Sequence, residues 1–235
     1  MEILGCVLPE DRLYDLDESV WWAEDPADGS ARVGILATLG SFAGPVHSFA
    51  FRNEISHADR GRSVGTLESV RYTGAVRLPV GATILDRNER LPSEPRLLND
   101  APYTDGWVVR VRPDRADDPP RYLASAATIA ARLEDRIREQ RIRCWPRTPD
   151  LELIEVGLEC SAVLTKLNEE LARLETGSAL LLVTDDPTSP IEMVRWSDQS
   201  GYPVLAHRRE GPLHQFLVRK VADPRPRVRG AGGVV

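Results

Sequence analysis

The sequence feature that most constrains the fold is the junction Gly157-Leu158-Glu159-Cys160, which separates two apolar patterns of different period. The run 151–156 before the junction is short and apolar, which is typical of a β-strand. After the junction, leucines recur at helical spacing, at Leu164, Leu167, Leu171 and Leu174. The sequence therefore predicts a strand-to-helix turn, with Cys160 at the N-terminus of the helix.

Cys160 is the candidate chemical group of this junction. A helix N-terminus presents unpaired amide groups and the positive end of the helix dipole, and both favour an anion. A free cysteine has a pKa of about 8.5, and a helix N-terminus can lower it to about 7. We therefore expect the pKa of the Cys160 thiol to be lowered. The alternative is that Cys160 is a small buried apolar residue without a chemical role.

The motif Gly157-Leu158-x-Cys160, the helix after it and the segment 178–187 resemble the TusA-like sulfur-carrier family. The resemblance covers about 150–222, with a second helix at 190–199 and a closing hairpin that ends near Lys220. It implies a two-layer α/β sandwich of order βαβαββ, in which Cys160 carries sulfur as a persulfide between donor and acceptor proteins. Ser161 stands where the family has proline, which puts partner recognition in question.

The first half of the chain contains short apolar runs separated by glycine and proline, which predict β-strands. These runs are Val20–Trp22, Ala31–Ile35, His47–Phe51, Ser63–Val70, Gly81–Leu85 and Trp107–Arg112. Their regular spacing predicts a sandwich or a flattened barrel.

Three segments of this half, Val33–Ile35, Leu67–Arg71 and Leu98–Trp107, resemble the glycine-cleavage H-protein family in order and spacing. The resemblance implies an all-β lipoyl-type domain, a barrel-sandwich hybrid, followed by a helix. The opening Gly5–Asp11 and the turn Tyr72–Gly74 are more similar to a sub-branch, the lipoate-binding proteins of heterodisulfide-reductase-like sulfur oxidation.

In the H-protein family, the lysine of a Glu-Ser-x-Lys motif carries lipoate at a hairpin turn, but this chain has Arg71 there. A guanidinium stays protonated and does not accept an acyl group in ordinary lipoylation. Residues 1–165 contain no lysine that could replace it. We therefore expect Arg71 in an exposed turn, Gly74 supplying freedom for the bend, and no lipoate.

The segment 121–143 has apolar residues at 3-4 spacing, which predicts one amphipathic helix. It is expected to pack on the first domain, with a dimerisation seam as the alternative. Pro119-Pro120 and the segment after the helix are expected to be joints. The predicted organisation is an H-protein-like domain at 1–143, a linker at 144–149, a TusA-like domain at 150–222 and a flexible tail at 223–235.

Charge and composition argue against several classes of protein. A net charge of −6 argues against nucleic acid as a partner. No apolar run approaches the ~18 residues of a membrane span, and the first residues lack a basic signal region. These observations predict a cytoplasmic protein. The four histidines, His47, His57, His207 and His214, lie too far apart in sequence to suggest metal ligands and are expected to be structural or surface residues.

The three cysteines are widely spaced, which predicts neither a disulfide framework nor a metal site. Cys144 is either incidental or a resolving thiol for Cys160. A reducing compartment agrees with this pattern.

Together these features predict a two-domain sulfur-trafficking protein in which Cys160 carries sulfane sulfur. The first domain would dock heterodisulfide-reductase-like or lipoyl-related enzymes, and neither metal nor organic cofactor is implied. One alternative is an inactive adaptor or regulator built from two degenerate carrier domains. The other is a lipoyl carrier of glycine cleavage, which Arg71 disfavours.

Overall fold

The chain divides between Thr148 and Pro149 into two units in the computed structural model, which describes residues 1–225. The two units are described separately below. Of the predicted tail, residues 226–235 lie outside the described part. No helix between residues 1 and 225 is both long and apolar enough to cross a membrane.

The first unit consists of short strands with four helices between them. In chain order its elements are β1 (Glu2–Ile3), β2 (Cys6–Val7), β3 (Leu13–Asp15), β4 (Val20–Asp25), β5 (Ser30–Ile35), α1 (Ala37–Ala43), β6 (Val46–Phe51), β7 (His57–Ala58), β8 (Ser63–Ser69), β9 (Thr73–Arg77), β10 (Ala82–Arg87), α2 (Leu97–Asp100), β11 (Trp107–Pro113), α3 (Asp118–Tyr122), β12 (Ala124–Ser125) and α4 (Ala126–Glu139).

Two sheets enclose the main core of this unit. A seven-stranded sheet has the order β12-β3-β4-β5-β11-β10-β7, and a three-stranded sheet has the order β6-β8-β9. Adjacent side chains of a strand point to opposite faces. Trp22 accordingly lies in the main core, whereas Trp21 joins a second cluster with α4. The first domain is therefore the β-rich, helix-bearing unit that the sequence predicts.

Helix α4 covers the second cluster of the first unit. Its buried residues follow helical spacing: Ala126, Ile129, Leu133 and Ile137. The Ser125 hydroxyl caps the helix by accepting the Thr128 amide at 3.3 Å. Beyond Gln140 the helix cannot continue, because Arg141 has a φ of 51°. The helix packs on the first domain as expected.

The predicted helix over 121–143 was too long, because its first residues belong to other elements. Leu123 is extended, so it separates α4 from the short helix α3. Pro119-Pro120 lies within α3 instead of forming a joint. Proline fits the first turn of a helix, where its missing amide hydrogen has no partner to lose.

A disulfide joins Cys6 to Cys144, contrary to the expectation that the cysteines do not pair. Both residues are buried in the cluster under α4. Their separation of 138 residues hides the pairing from the sequence. Cys144 is therefore not a free resolving thiol for Cys160. Since disulfides persist mainly in oxidising compartments, the bond also removes one reason for predicting a cytoplasmic protein.

The segment 144–149 also differs from the expected linker. Arg96 donates a hydrogen bond to the carbonyl of Thr148 at 3.2 Å, and Arg147 lies 3.7 Å from the carboxylate of Asp100. With Cys144 in the disulfide, these contacts hold the chain through Thr148 in the first unit.

The second unit alternates strands and helices. Its elements are β13 (Leu151–Glu155), α5 (Cys160–Arg173), β14 (Ala179–Thr184), α6 (Ser189–Ser200), β15 (Val204–Glu210) and β16 (Leu213–Arg219). The sheet has the order β13-β14-β16-β15, with β13 parallel to β14 and the other pairs antiparallel. The second domain is thus a mixed sheet with two helices.

Both helices of the second unit bury one apolar stripe against the sheet. The cluster includes Val163, Leu167, Leu171, Met193 and Trp196 from the helices. Burying each large apolar side chain contributes about 1.5–3 kcal/mol, so this stripe fixes the position of both helices.

The start of the predicted tail also has a defined place. Gly201 ends α6 with a φ of +79°, and the backbone of Arg225 occupies the space that a Cβ there would need. Arg225 is therefore packed against the end of α6.

Candidate functional site

Cys160 lies where the two helices of the second unit begin. The strands β13 and β14 are parallel, and each is followed by a helix, so α5 and α6 start at the same edge of the sheet. Cys160 is the first residue of α5 and is half-buried. Among the described residues it is the free cysteine.

The motif around the cysteine forms the turn into α5. Gly157 has a φ of +76°, a conformation that other residues adopt at a cost. Leu158 packs against the apolar cluster of the second unit, and Ser161 is exposed in the first turn of α5. The sequence correctly located the turn, whereas the functional roles of these residues remain predictions.

Two carboxylates lie in the loop after β14, close to this turn. Asp185 accepts a hydrogen bond from the amide of Gly157 at 2.8 Å. Asp186 accepts bonds from the amide and the hydroxyl of Thr188, both at 2.7 Å. The first carboxylate therefore holds the turn into α5, and the second is fixed within its own loop.

The electrostatics of the site oppose ionisation of the thiol. Burial raises the pKa of Cys160, and the charges of Asp186 and Glu192 raise it further. The expectation of a lowered pKa was therefore wrong: it included the helix terminus but neither the burial of the thiol nor the nearby carboxylates. The hydrogen bonds from Thr188 in turn hold the pKa of Asp186 below its usual value, so this carboxylate stays charged.

Two histidines of the second unit, expected to be scattered, meet in the β15–β16 hairpin. His207 Nε2 and His214 Nδ1 are 3.1 Å apart. His207 also stacks on Phe216, with ring centroids 4.4 Å apart. His214 is buried, and it pairs across the sheet with Thr184, two residues before Asp186. Burial and then the charge of His214 lower the pKa of His207.

Arg71 occupies the turn between β8 and β9 in the first unit. The tip of this turn is open to solvent, since Val70 is 91% exposed. Ser69 Oγ donates to the carbonyl of Ala43 at 2.7 Å and accepts the amides of Arg71 and Tyr72. The turn is thereby attached to the end of α1.

The side chain of Arg71 folds back on the protein. Its Nη2 lies 2.8 Å from the point where a Cβ on Gly44 would be, just past the C-terminus of α1. A cation is favoured at the C-terminal end of a helix. The side chain of Arg71 thus lies against the end of α1 and does not extend away from the protein as a swinging arm would. Its equivalence to a lipoyl-bearing lysine remains a prediction.

Gly74 has a different role from the one expected. It lies in β9, opposite Leu67, and its φ is not positive. The ring of Tyr72 occupies the space of a Cβ at Gly74 and meets Phe42 edge-on, with ring centroids 5.9 Å apart. Glycine is therefore needed for the close approach of Tyr72 and not for the bend.

The sequence missed the groups that set the charge around Cys160. Asp185 and Asp186 lie within the segment 178–187 that carries the family resemblance, and aspartate is a common capping residue near the start of a helix. The contact between the two histidines is less evident from the sequence. His207 and His214 flank the turn at Gly211, and residues on either side of a hairpin turn can meet diagonally across the strands.

No group of three or more histidine, cysteine, aspartate or glutamate residues within 1–225 could hold a metal ion. The candidate site is therefore described by its thiol, carboxylates and imidazoles.

Known families match both units. Residues 12–136 match the model of the glycine cleavage H-protein, and residues 155–220 match that of sulfurtransferase TusA. The fold and the matches thus define a two-domain protein that joins an H-protein-like lipoyl-type domain to a TusA-like sulfur-carrier domain. Because the first match spans more than half of the sequence, the chain belongs to the glycine cleavage H-protein family.

Individual relatives agree with this family. The chain is 31% identical over 147 residues to glycine cleavage system H protein 5 of Aquifex aeolicus, covering 61% of this chain and 98% of the relative. It is 27% identical over 143 residues to probable glycine cleavage system H protein 2 of Sulfurisphaera tokodaii, covering 60% and 96%. A solved H protein from Mycobacterium marinum shares 24% identity and has a TM-score of 0.47, covering 54% of this chain and 98% of that one.

Proposed function

We propose that the protein carries sulfane sulfur as a persulfide on Cys160, and that its first domain docks partner enzymes. The observation that carries this proposal is the free thiol at the start of α5, at an open edge of the domain that matches TusA. We assign the first domain to the barrel-sandwich hybrids and the second to the two-layer sandwiches.

The proposed chemistry is two exchanges at sulfur. The Cys160 thiolate attacks the terminal sulfur of a donor persulfide, and the bond to the donor's inner sulfur breaks. The bonding pair leaves with that inner sulfur, which takes up a proton, and Cys160 now carries the persulfide. An acceptor thiolate then attacks the terminal sulfur and releases the Cys160 thiolate. Both rates depend on the pKa values of the attacking and leaving thiols.

The carboxylates near Cys160 give this carrier a resting state. Burial favours the neutral thiol, and so do Asp186 and Glu192; the neutral thiol is the unreactive form. We infer that a partner activates Cys160 on docking, either by covering the carboxylates with positive charge or by accepting the proton.

The surface at this edge suits a protein partner. Val156 follows β13 and is 54% exposed, and Ile191 lies in the first turn of α6 and is 63% exposed. Exposed apolar residues with a polar rim are typical of interaction sites. Here the rim is acidic, with Glu159, Asp185 and Asp186. We infer that sulfur donors and acceptors approach with a basic surface.

The first domain is proposed to dock heterodisulfide-reductase-like or lipoyl-related enzymes through the Arg71 turn. Arg71 cannot carry lipoate through an amide, so we propose that the domain works without this cofactor and without a metal. Cytoplasmic localisation stays a prediction.

The proposal is tested by loading the full-length protein with a small-molecule persulfide and mapping the added sulfur by peptide mass. We expect a gain of one sulfur atom on the peptide that contains Cys160, and no gain for the Cys160→Ser variant. Equal uptake by that variant would contradict the proposal. Serine has nearly the shape of cysteine, so the variant should fold, which circular dichroism checks.

A second candidate is an adaptor or regulator without carrier chemistry. Ser161 in place of proline, the absent lysine and the raised pKa of Cys160 favour it. Under this alternative the protein would bind its partners but take up no sulfur in the same experiment. A lipoyl carrier of glycine cleavage is a third possibility, and intact mass distinguishes it: a lipoyl adduct would support it.

A further inference from the structure

The seven-stranded sheet of the first domain has a cavity of about 290 Å³ on the face that points away from the main core. Trp21 on β4, Arg32 on β5 and Trp107 on β11 line it from three adjacent strands. Arg12 and Tyr103 line it from the loops beside the sheet. The volume is close to the lower limit of about 300 Å³ for small-molecule sites.

The aromatic side of this cavity is already in place. Gly34 pairs with Trp21 on one neighbouring strand and with Trp107 on the other. Ring atoms of Trp21 lie 2.6 Å from the point where a Cβ on Gly34 would be, so glycine allows the indole to lie over β5. Trp21 Nε1 donates to the carbonyl of Pro102 at 2.9 Å, which fixes the ring. A ligand that contacts this ring therefore pays little for ordering it.

Two guanidinium groups stack on the rings that line the cavity. The guanidinium carbon of Arg12 is 4.9 Å from the ring centroid of Trp21 and 5.4 Å from that of Tyr103. That of Arg32 is 5.5 Å from the ring centroid of Trp107. Three aromatic rings around a cavity can suit a cation, but here the protein supplies the cations itself. A planar guanidinium matches the geometry of a carboxylate, so the cavity favours an anion.

The charges of these arginines are balanced unequally. Arg12 is paired with Asp11 at 2.8 Å. Arg32 lies directly opposite Arg110 across β5 and β11, and like charges in that arrangement are destabilising. Arg110 has Asp28 at 3.3 Å, whereas no carboxylate oxygen of residues 1–225 lies within 4.0 Å of the Arg32 guanidinium. A local rule that is broken without compensation is typical of a functional site.

The acidic residues near the cavity do not cancel this charge. Asp105 lines the cavity, but it is ion-paired with Arg90 at 3.2 Å. Arg32 also lines a second cavity of about 420 Å³ on the same sheet, and there Glu24 and Asp25 contribute exposed carboxylates. The second cavity is therefore a poorer match for an anion than the first.

We propose that the first cavity binds a small carboxylate with a flat apolar body. Arg32 donates hydrogen bonds to the carboxylate, and the rings of Trp21 and Trp107 contact the body. The site involves neither Cys160 nor Arg71, so it goes beyond the proposed function. Either proposal can fail while the other stands.

The test is a titration of the ¹⁵N-labelled full-length protein at neutral pH and constant ionic strength. The readout is the indole N–H signal of Trp107, which the Trp107→Phe variant identifies. Four probes are compared: benzoate, benzamide, acetate and inorganic phosphate. Benzamide has the shape of benzoate without its charge, whereas acetate and phosphate have charge without a ring.

We expect benzoate to shift this signal and to bind at least about tenfold more tightly than each of the other probes, since a hydrogen bond to a charged group contributes about 1.5–3 kcal/mol. Benzoate affinity no greater than that of benzamide would overturn the role of the guanidinium. Acetate or phosphate binding as tightly as benzoate would overturn the flat apolar body, and an unshifted Trp107 signal would overturn the site.

Two matched variants separate a direct contact from a general attraction of anions. Arg32→Gln, at an exposed position, should weaken benzoate binding about tenfold and leave benzamide unchanged. Arg112→Gln removes the same charge from the same face of β11, outside both cavities, and should cost less than about twofold because exposed charges are screened by salt. Equal losses in the two variants would overturn the proposal. Circular dichroism checks that both variants fold, and the comparison of the four probes needs neither.

Discussion

The Arg71 turn and the Cys160 junction are the two positions at which the domains of this protein would carry a chemical group. They differ in whether the reactive side chain is present. The Arg71 turn is exposed at Val70 and anchored to α1 through Ser69. Its reactive amine is absent. The junction keeps its thiol, but burial, and then the charges of Asp186 and Glu192, raise the pKa of that thiol.

The two positions show that the local fold and the reactive group depend on different residues. A turn fixed by backbone hydrogen bonds tolerates the exchange of one exposed side chain, so the fold of the first domain persists without a lipoyl lysine. At Cys160 the reactive atom is present, and its reactivity depends on charges that other elements supply. The first position therefore lacks a functional group, whereas the second has one under electrostatic control.

The largest expected effect concerns stability, because only the domain with the Arg71 turn contains a disulfide. Reducing Cys6–Cys144 frees a loop of more than 100 residues, which should cost the first domain about 4–5 kcal/mol. After reduction, hydrogen exchange of the full-length protein, resolved by peptide, should be faster in 1–148. Exchange in the second domain should not change. The Cys6→Ala/Cys144→Ala variant should not respond to reductant. Equal acceleration in both domains would contradict this difference.

Two glycines with nearly the same φ, one at each site, allow the two sites to be compared directly. Gly157 has a φ of +76° with open space around it, and Gly44 has a φ of +77° with Arg71 against it. Gly157→Ala should cost about 1–2 kcal/mol from backbone strain alone. Gly44→Ala should cost more, because its ψ of −164° lies in a region that essentially only glycine adopts, and the methyl group also meets the guanidinium. Thermal unfolding of both variants measures the costs, and equal values would contradict this difference between the two turns.

Removing one charge tests the electrostatic control of Cys160. Asp186→Asn keeps an oxygen that can accept the hydrogen bonds from Thr188 but removes the negative charge, so the pKa of the thiol should fall. Alkylation at pH 7 should become about threefold to tenfold faster. Glu175→Gln, an exposed residue beyond the other end of α5, serves as control. An unchanged rate in Asp186→Asn would leave burial and the charge of Glu192 as the causes of the raised pKa.

The smallest effect on stability is expected for Arg71→Lys. Both side chains are long and cationic at an exposed turn, so the free energy of unfolding should change by less than about 0.5 kcal/mol. A lipoate ligase given lipoate and ATP should then modify the new lysine at least in part, as read from intact mass. A folded but unmodified variant would mean that the turn has lost its recognition features, and the docking proposal would lose its main support.

Much of the architecture could be predicted from local patterns. The helix after Cys160 follows from the spacing of its leucines. In the first domain, adjacent strand residues such as Trp21 and Trp22 point to opposite faces of the sheet and enter different clusters. The boundaries of α4 were harder, because Ser125 and Arg141 end it through capping and backbone conformation, which apolar spacing does not encode.

By itself, the sequence determined the strand-to-helix turn at Cys160 and the absence of an acylatable lysine at Arg71. Both depend on residue identity and on neighbours close along the chain. Only the tertiary structure decided that Cys6 pairs with Cys144, that Asp186 and Glu192 raise the pKa of Cys160 and that His207 meets His214. The pKa of a thiol depends on distances to charges in space, and the fold brings those charges from separate segments of the sequence.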